Sequence, residues 1–211
     1  ATKEERISET SEHFQEISQN NVLHQCFRTL DSPVTHAEHP HDTSLRLAYG
    51  SCRDLRDRQE DALSAFGSWL VQHFSERESL WPRLLLLIGD QIYADVPSPK
   101  LIAAYPQLRG GARTFADFAC MYEQAWTQDK HVRQLLAVLP TFTIFDDHEI
   151  INNWNITPTW RARAIQRGQE QLLVDGLVTY WIYQGWGNLH QRAIKDHPLL
   201  HIMHDAATNG T

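Results

Sequence analysis

The sequence predicts an α/β protein built on a sheet that is at least partly parallel, and three observations carry that expectation. Strand-like and helix-like segments alternate along the 211 residues, as they do where helices connect parallel strands. One strand candidate, "PRLLLLIGD" at 82–90, is a continuous apolar run of the kind found in strands buried on both faces. All three strand candidates end in polar clusters, at the edge where such sheets place their ligands.

The elements follow in order. Residues 3–30 read as a helix, with Ile7, Phe14, Ile17 and Val22 on roughly one side. Residues 31–44 form a loop by composition, with two prolines and three histidines. "LRLAYGSC" at 45–52 alternates apolar and polar residues and reads as a strand ending at Gly50. Residues 57–76 carry Ala62, Leu63, Phe66, Trp69, Leu70 and Phe74 at helical spacing. The leucine-rich strand comes next, and 114–138 reads as a second helix of this region. Pro140 stops that helix, and "TFTIFD" at 141–146 makes the third strand. Residues 158–184 read as one long helix with Pro158 near its start. The expected organisation is an N-terminal helix and loop over 1–44, a domain over 45–190, and a tail over 191–211 whose pattern is not readable.

Composition narrows the function. An apolar fraction of 42% and a charged fraction of 21% are ordinary for a globular chain with a substantial core. The net charge of −7 and the lack of a Lys/Arg-rich run argue against a nucleic-acid backbone binder. No apolar run approaches the roughly 18 to 20 residues that span a bilayer. The N-terminal "ATKEERISET" is unlike a signal peptide; the compartment stays open between secreted and cytoplasmic. Cys26, Cys52 and Cys120 are far apart and make no disulfide framework.

The strand ends carry the chemistry. The first ends in "GSCRD", with Cys52, Arg53 and Asp54; the second in "GDQIYAD", with Asp90, Tyr93 and Asp95. The third runs into "FDDHEIINNWN", with Asp146, Asp147, His148, Glu149, Asn152, Asn153 and Asn155. Parallel neighbours would bring these groups to one cleft, where crowded carboxylates need a compensating cation. Phenolate, thiolate and carboxylate suit a ferric ion; carboxylate and amide oxygens suit calcium, magnesium or manganese. A pair of metals bridged by one aspartate would use both kinds and would form a clamp for displacement at phosphorus.

"GSCRD", "IGDQIYAD" and "IFDDHEIINNWN", in this order, resemble the PhoD-like alkaline phosphatase branch of the calcineurin-type metallophosphoesterases, and "YQGWGN" at 183–188 is similar to a further segment of it. The resemblance implies a layered metallophosphoesterase sheet with flanking helices. It implies that Cys52, Asp90 and Tyr93 hold Fe3+, and that Asp90 bridges to Ca2+ or another divalent cation. Asp147 stands where related phosphoesterases have the asparagine of "GNHE", so Asp147 and Asn153 would hold the second metal. His148 would serve the leaving group, and Arg53 would contact phosphate oxygens. The implied reaction is hydrolysis of phosphate mono- or diesters, as an alkaline phosphatase or phosphodiesterase. Members of the branch also carry a later half with a "GD.H" type motif, which has no counterpart here. The chain therefore reads as an N-terminal half, its site to be completed by a missing C-terminal half or another chain. The alternative is a non-catalytic metal-binding or interaction domain derived from a phosphoesterase.

Each candidate also has a structural reading. Cys52 can be a buried core thiol, Asp90 a helix N-cap, and Tyr93 a core phenol with a satisfied hydroxyl. Asp146 and Asp147 are adjacent, so on a strand one of them faces away; that one is expected to be Asp146. His36, His39 and His41 read as a solvated loop, and His201 and His204 as a pair on one helical face. Trp154, Trp160, Trp181 and Trp186 are expected to pack as core.

Overall fold

The computed structural model describes residues 45–56, 61–73, 81–154 and 157–209. The expected helix over 3–30 and the loop histidines His36, His39 and His41 lie outside these residues.

Three strands, β1 (Leu47–Gly50), β2 (Leu84–Ile88) and β3 (Thr141–Ile144), form a parallel sheet in the order β1-β2-β3. Register sets Tyr49 beside Leu86 and Leu86 beside Phe142, so alternate residues of all three strands share a face. On one face Leu85 and Leu87 are buried against Leu70, Trp81, Leu135 and Val138. That cover comes from helices α1 (Ala62–Gln72) and α4 (Lys130–Val138), which pack on each other. Gly67 permits the approach: a Cβ there would collide with the carbonyl of His131. The opposite face leaves Leu47, Tyr49, Ile88, Phe142 and Ile144 exposed. Burial of β2 on both faces is thus realised on one face only, because both helices that carry the adjoining core lie on the same side.

A second core sits beyond the strands' carboxyl ends. Phe118, Met121, Tyr122 and Ala125 of α3 (Phe115–Trp126) pack with Ile92, Ala94, Leu108 and Ile150. Helix α6 (Glu170–Tyr183) lies against α3. Between β2 and α3 the chain also forms α2 (Pro99–Ala104), capped by Ser98, which hydrophobic periodicity did not reveal in so short a segment.

Two expected long helices are each broken in two. The helix over 114–138 stops at Trp126 and restarts as α4, because Asp129 takes the N-cap position and accepts from the N–H groups of His131 (2.8 Å) and Val132 (3.0 Å). The helix over 158–184 divides into α5 (Pro158–Gln166) and α6 at Gly168, whose φ of 66° ends a helix at no steric cost. The tail holds α7 (Gln191–Lys195) and α8 (Pro198–Asn209). His204 lies on α8, largely exposed, 3.7 Å from Asp205. The tryptophans pack pairwise, Trp154 with Trp160 and Trp181 with Trp186.

Asn188, in the turn after α6, closes the free edge of β3. Its amide donates to Thr143 O at 2.6 Å, and its Oδ1 accepts from Thr143 N–H at 3.0 Å. One side chain thereby replaces a strand on an edge that would otherwise pair with other chains.

Asp129 links α1 and α4, since its Oδ2 also accepts from the Ser64 hydroxyl at 2.8 Å. Burial pushes its carboxyl up, but the bonds from Val132, Ser64 and His131 outweigh that and hold it below the ordinary range. A depressed folded pKa contributes stability above the unfolded value, near pH 4, and loses it as pH falls through the folded value. Asp129→Ala is expected to cost about 1 kcal/mol at neutral pH. In urea melts the gap between variant and wild type should close as pH falls below about 4; a gap that persists unchanged at acid pH would contradict the role of the charge.

Candidate metal centre at the strand ends

The sheet's ladder continues past its strands into the polar turns. Cys52 N–H donates to Gly89 O at 3.1 Å, and Arg53 N–H donates to Asp90 O at 2.8 Å. "GSCRD" is therefore laid directly along "GDQIYAD". At the far side, His148 N–H donates to Asp90 Oδ1 at 3.2 Å, which brings the third strand's turn to the same carboxylate.

Backbone conformation singles out the same positions. Among the described residues, Cys52 (φ 53°), Asp90 (φ 52°) and Asn153 (φ 58°) are the non-glycine residues at positive φ. This region costs side-chain-bearing residues free energy and clusters at functional sites. Gly89 precedes Asp90 with φ 97°, and a Cβ there would lie 2.6 Å from the Asp146 Cβ. Glycine is needed for both the turn and the approach of the third strand's end.

Asp90, Asp147 and His148 each offer one ligand atom, all within 4.8 Å of one another. Asp90 is buried, and burial pushes its carboxyl up; hydrogen bonds from the Cys52 thiol and His148 N–H act in the opposite sense. Tyr93 stacks on the His148 ring, centroids 4.2 Å apart. Its hydroxyl is pushed up to about 12 by burial, then by the negative charges of Asp90, Cys52 and Asp54. These groups gather anionic and potentially anionic oxygen and sulfur around one carboxylate. That donor set fits a multivalent cation, which would relieve the crowding and favour the deprotonated phenol. Asn153 joins through its backbone, donating its N–H to Asp147 Oδ2.

Asp146 is not part of the cluster. Its carboxylate accepts from Asp147 N–H at 2.9 Å and caps the short turn Asp147–Glu149. Arg53 is not part of it either. Its guanidinium donates to Asp61 Oδ2 at 2.5 Å and to Ala125 O at 2.5 Å, with 9% of the side chain exposed. A cavity of about 500 Å³ borders this arginine and Cys52, lined also by Phe66, Leu85 and Leu87. It does not include Asp90, Asp147 or His148, so the clustered chemistry lies outside it.

Two supporting residues stood among the strand-end clusters of the sequence but had no role assigned from it. Asp95 Oδ1 accepts from His148 Nδ1–H at 2.8 Å, and its other oxygen accepts from Asn152 N–H at 2.9 Å. Its place two residues after a phenol carried no signal of that partner. Glu149 is fully buried, and its carboxylate accepts from the N–H groups of Asp90 (3.1 Å), Gln91 (2.7 Å) and Asp146 (2.9 Å) and from the Gln184 amide (3.1 Å). The capping-box spacing from Asp146 to Glu149 was the available clue.

A family model described as PhoD-like phosphatase matches residues 47–181. A solved structure described as "Structure of PhoD" aligns with 61% of this chain at 19% identity, with a TM-score of 0.37. The aligned chain spans 24% of that structure's length. No curated protein matches.

All four of Glu149's partners donate N–H groups, so an amide in its place would set its own NH2 against at least one of them. Glu149→Gln is expected to destabilise by about 1–3 kcal/mol and to weaken metal binding together with stability, read by thermal melting and by metal titration. Unchanged melting would mean that the four bonds contribute nothing net.

Proposed function

The chain belongs to the PhoD-like phosphatase family, whose members are phosphoester hydrolases, and on that premise we propose that it hydrolyses phosphate mono- or diesters with a metal-activated water. The observation that supports this reading is the convergence of Asp90, Asp147 and His148, whose ligand-type atoms lie within 4.8 Å of one another, at the carboxyl edge of a parallel sheet. We assign the domain to residues 45–190.

Cys52, Asp90 and Tyr93 would hold Fe3+, and Asp90, Asp147 and Asn153 would hold Ca2+ or another divalent cation. Such ions, when bound, supply Lewis acidity that neutralises phosphoryl oxygens and makes water nucleophilic near neutral pH. The protein's own part is placement. The turns at Cys52 and Asp90 are left-handed, and the Cys52 thiol donates to the Asp90 carboxylate. Asp95 accepts from His148 Nδ1–H, which leaves Nε2 of the imidazolium to donate its proton to the departing oxygen. Stacking on Tyr93 fixes the plane of that imidazole.

Asp90→Asn tests the centre with little risk to the fold. Asparagine tolerates positive φ as aspartate does, and its Oδ1 can still accept from His148 N–H. The expected outcome is loss of nitrophenol release from mono- and diester substrates supplied with iron and calcium, with the circular dichroism spectrum retained. Wild-type rates in this variant would remove Asp90 from the mechanism. A wild-type chain that releases nothing with metals bound would favour the non-catalytic alternative.

Iron content and visible absorption test the ferric assignment separately. Near-stoichiometric iron with an absorption band lost in Tyr93→Phe is expected. A band that survives both Tyr93→Phe and Cys52→Ser would exclude the phenolate and thiolate ligands.

A further inference from the structure

Tyr93 has a second neighbour besides His148. The Arg56 guanidinium lies 5.1 Å from the centre of its ring, close enough for a cation–π contact. Arg56 is held there by Asp54: its Nε donates to Oδ1 at 2.8 Å and its Nη2 to Oδ2 at 2.5 Å. Asp54 is in turn positioned by the turn at Cys52, its N–H donating to Cys52 O at 2.9 Å. A cation is thus poised on two residues that adjoin the candidate metal cluster.

Two arginines could meet a phosphoryl group, and their surroundings separate them. Arg53 is almost fully buried and serves both Asp61 oxygens and the Ala125 carbonyl. Withdrawing it would leave a carboxylate and a carbonyl without their donor, which is costly inside a protein. The Arg56–Asp54 pair has side chains 37% and 32% exposed. An ion pair at that exposure is screened by water and contributes little, so an incoming anion can displace Asp54 cheaply. The fork that now engages one carboxylate matches two phosphoryl oxygens equally well.

We propose that Arg56, rather than Arg53, contacts the phosphoryl oxygens of the substrate, and that Asp54 holds it over Tyr93 until the anion replaces it. This rests on the phosphoesterase reading above.

The test uses the full chain loaded with iron and calcium, with inorganic phosphate as the probe. Arg56→Gln is expected to weaken phosphate binding in calorimetry by about 10- to 100-fold and to raise KM for nitrophenyl phosphate, while iron content and the visible band stay as in wild type. Arg56→Lys should restore part of the loss, since it returns the charge without the fork. Phosphate affinity in Arg56→Gln within twofold of wild type would overturn the assignment, as would weakening by Arg53→Gln in its place. Loss of iron or of the band in Arg56→Gln would also overturn it, making Arg56 a support for Tyr93. A wild-type chain that neither hydrolyses esters nor binds phosphate would overturn the phosphoesterase reading itself.

Discussion

Four N–H groups converge on the carboxylate of Glu149, from Asp90, Gln91, Asp146 and Gln184, and the candidate centre is assembled around that convergence. The donors come from the turn after β2, the turn after β3 and the end of α6. Parallel pairing sets the turns at one edge, and a backbone bond from Ala94 N–H to His148 O at 2.9 Å joins the turn after β2 to the turn after β3. The buried Glu149 carboxylate, with all its acceptor sites engaged, fastens them further, because leaving any of these donors unpaired in the interior would carry the full desolvation cost. Gln184 extends the network to the hydroxyl of Tyr122 at 3.0 Å, inside the second core. The centre is tied in this way to the packing of α3 and α6.

That anchoring explains how strained backbone is tolerated. Left-handed conformations at residues with side chains cost roughly 1–3 kcal/mol each, and Cys52, Asp90 and Asn153 all adopt them. Asp90 N–H is fastened to Glu149, Cys52 N–H to Gly89 O, and Asn153 N–H to Asp147. Each strained residue is thereby held by a bond to a neighbouring turn, and the reward is direction. The Cys52 thiol is brought in this way to donate to the Asp90 carboxylate.

The second core serves the centre from below. Ile92 and Ala94 flank Tyr93 in sequence and are buried with Phe118, Tyr122 and Ile150. Alternation leaves Tyr93 on the opposite side, against His148 and Arg56. The same residues that fill the core therefore dictate which way the phenol faces. The sheet itself is covered by α1 and α4 on one face, and Leu47, Tyr49, Ile88, Phe142 and Ile144 line the other.

Much of the site was legible in the sequence because ligand-type residues at strand ends are a local signal. The strand patterns of β1, β2 and β3 end at recognisable points, and "GSCRD", "GDQIYAD" and "FDDHEIINNWN" sit at those points. Parallel pairing then sets these motifs, and with them Cys52, Asp90 and Asp147, at one edge. The helix breaks at Asp129 and Gly168 were written locally too, as an N-cap residue and a glycine, but periodic apolar residues on both sides masked them. What only the tertiary structure decided is the division of labour among residues of like chemistry. Arg53 and Arg56 are both arginines of one turn, yet one is spent on Asp61 and Ala125 and the other rests on Tyr93. Asp146 caps a turn while its neighbour Asp147 joins the cluster. Asp95 and Glu149 find partners more than fifty residues away. Side-chain direction in these turns is set by three left-handed residues and one buried carboxylate, and such long-range bonds leave no periodicity for a sequence to display.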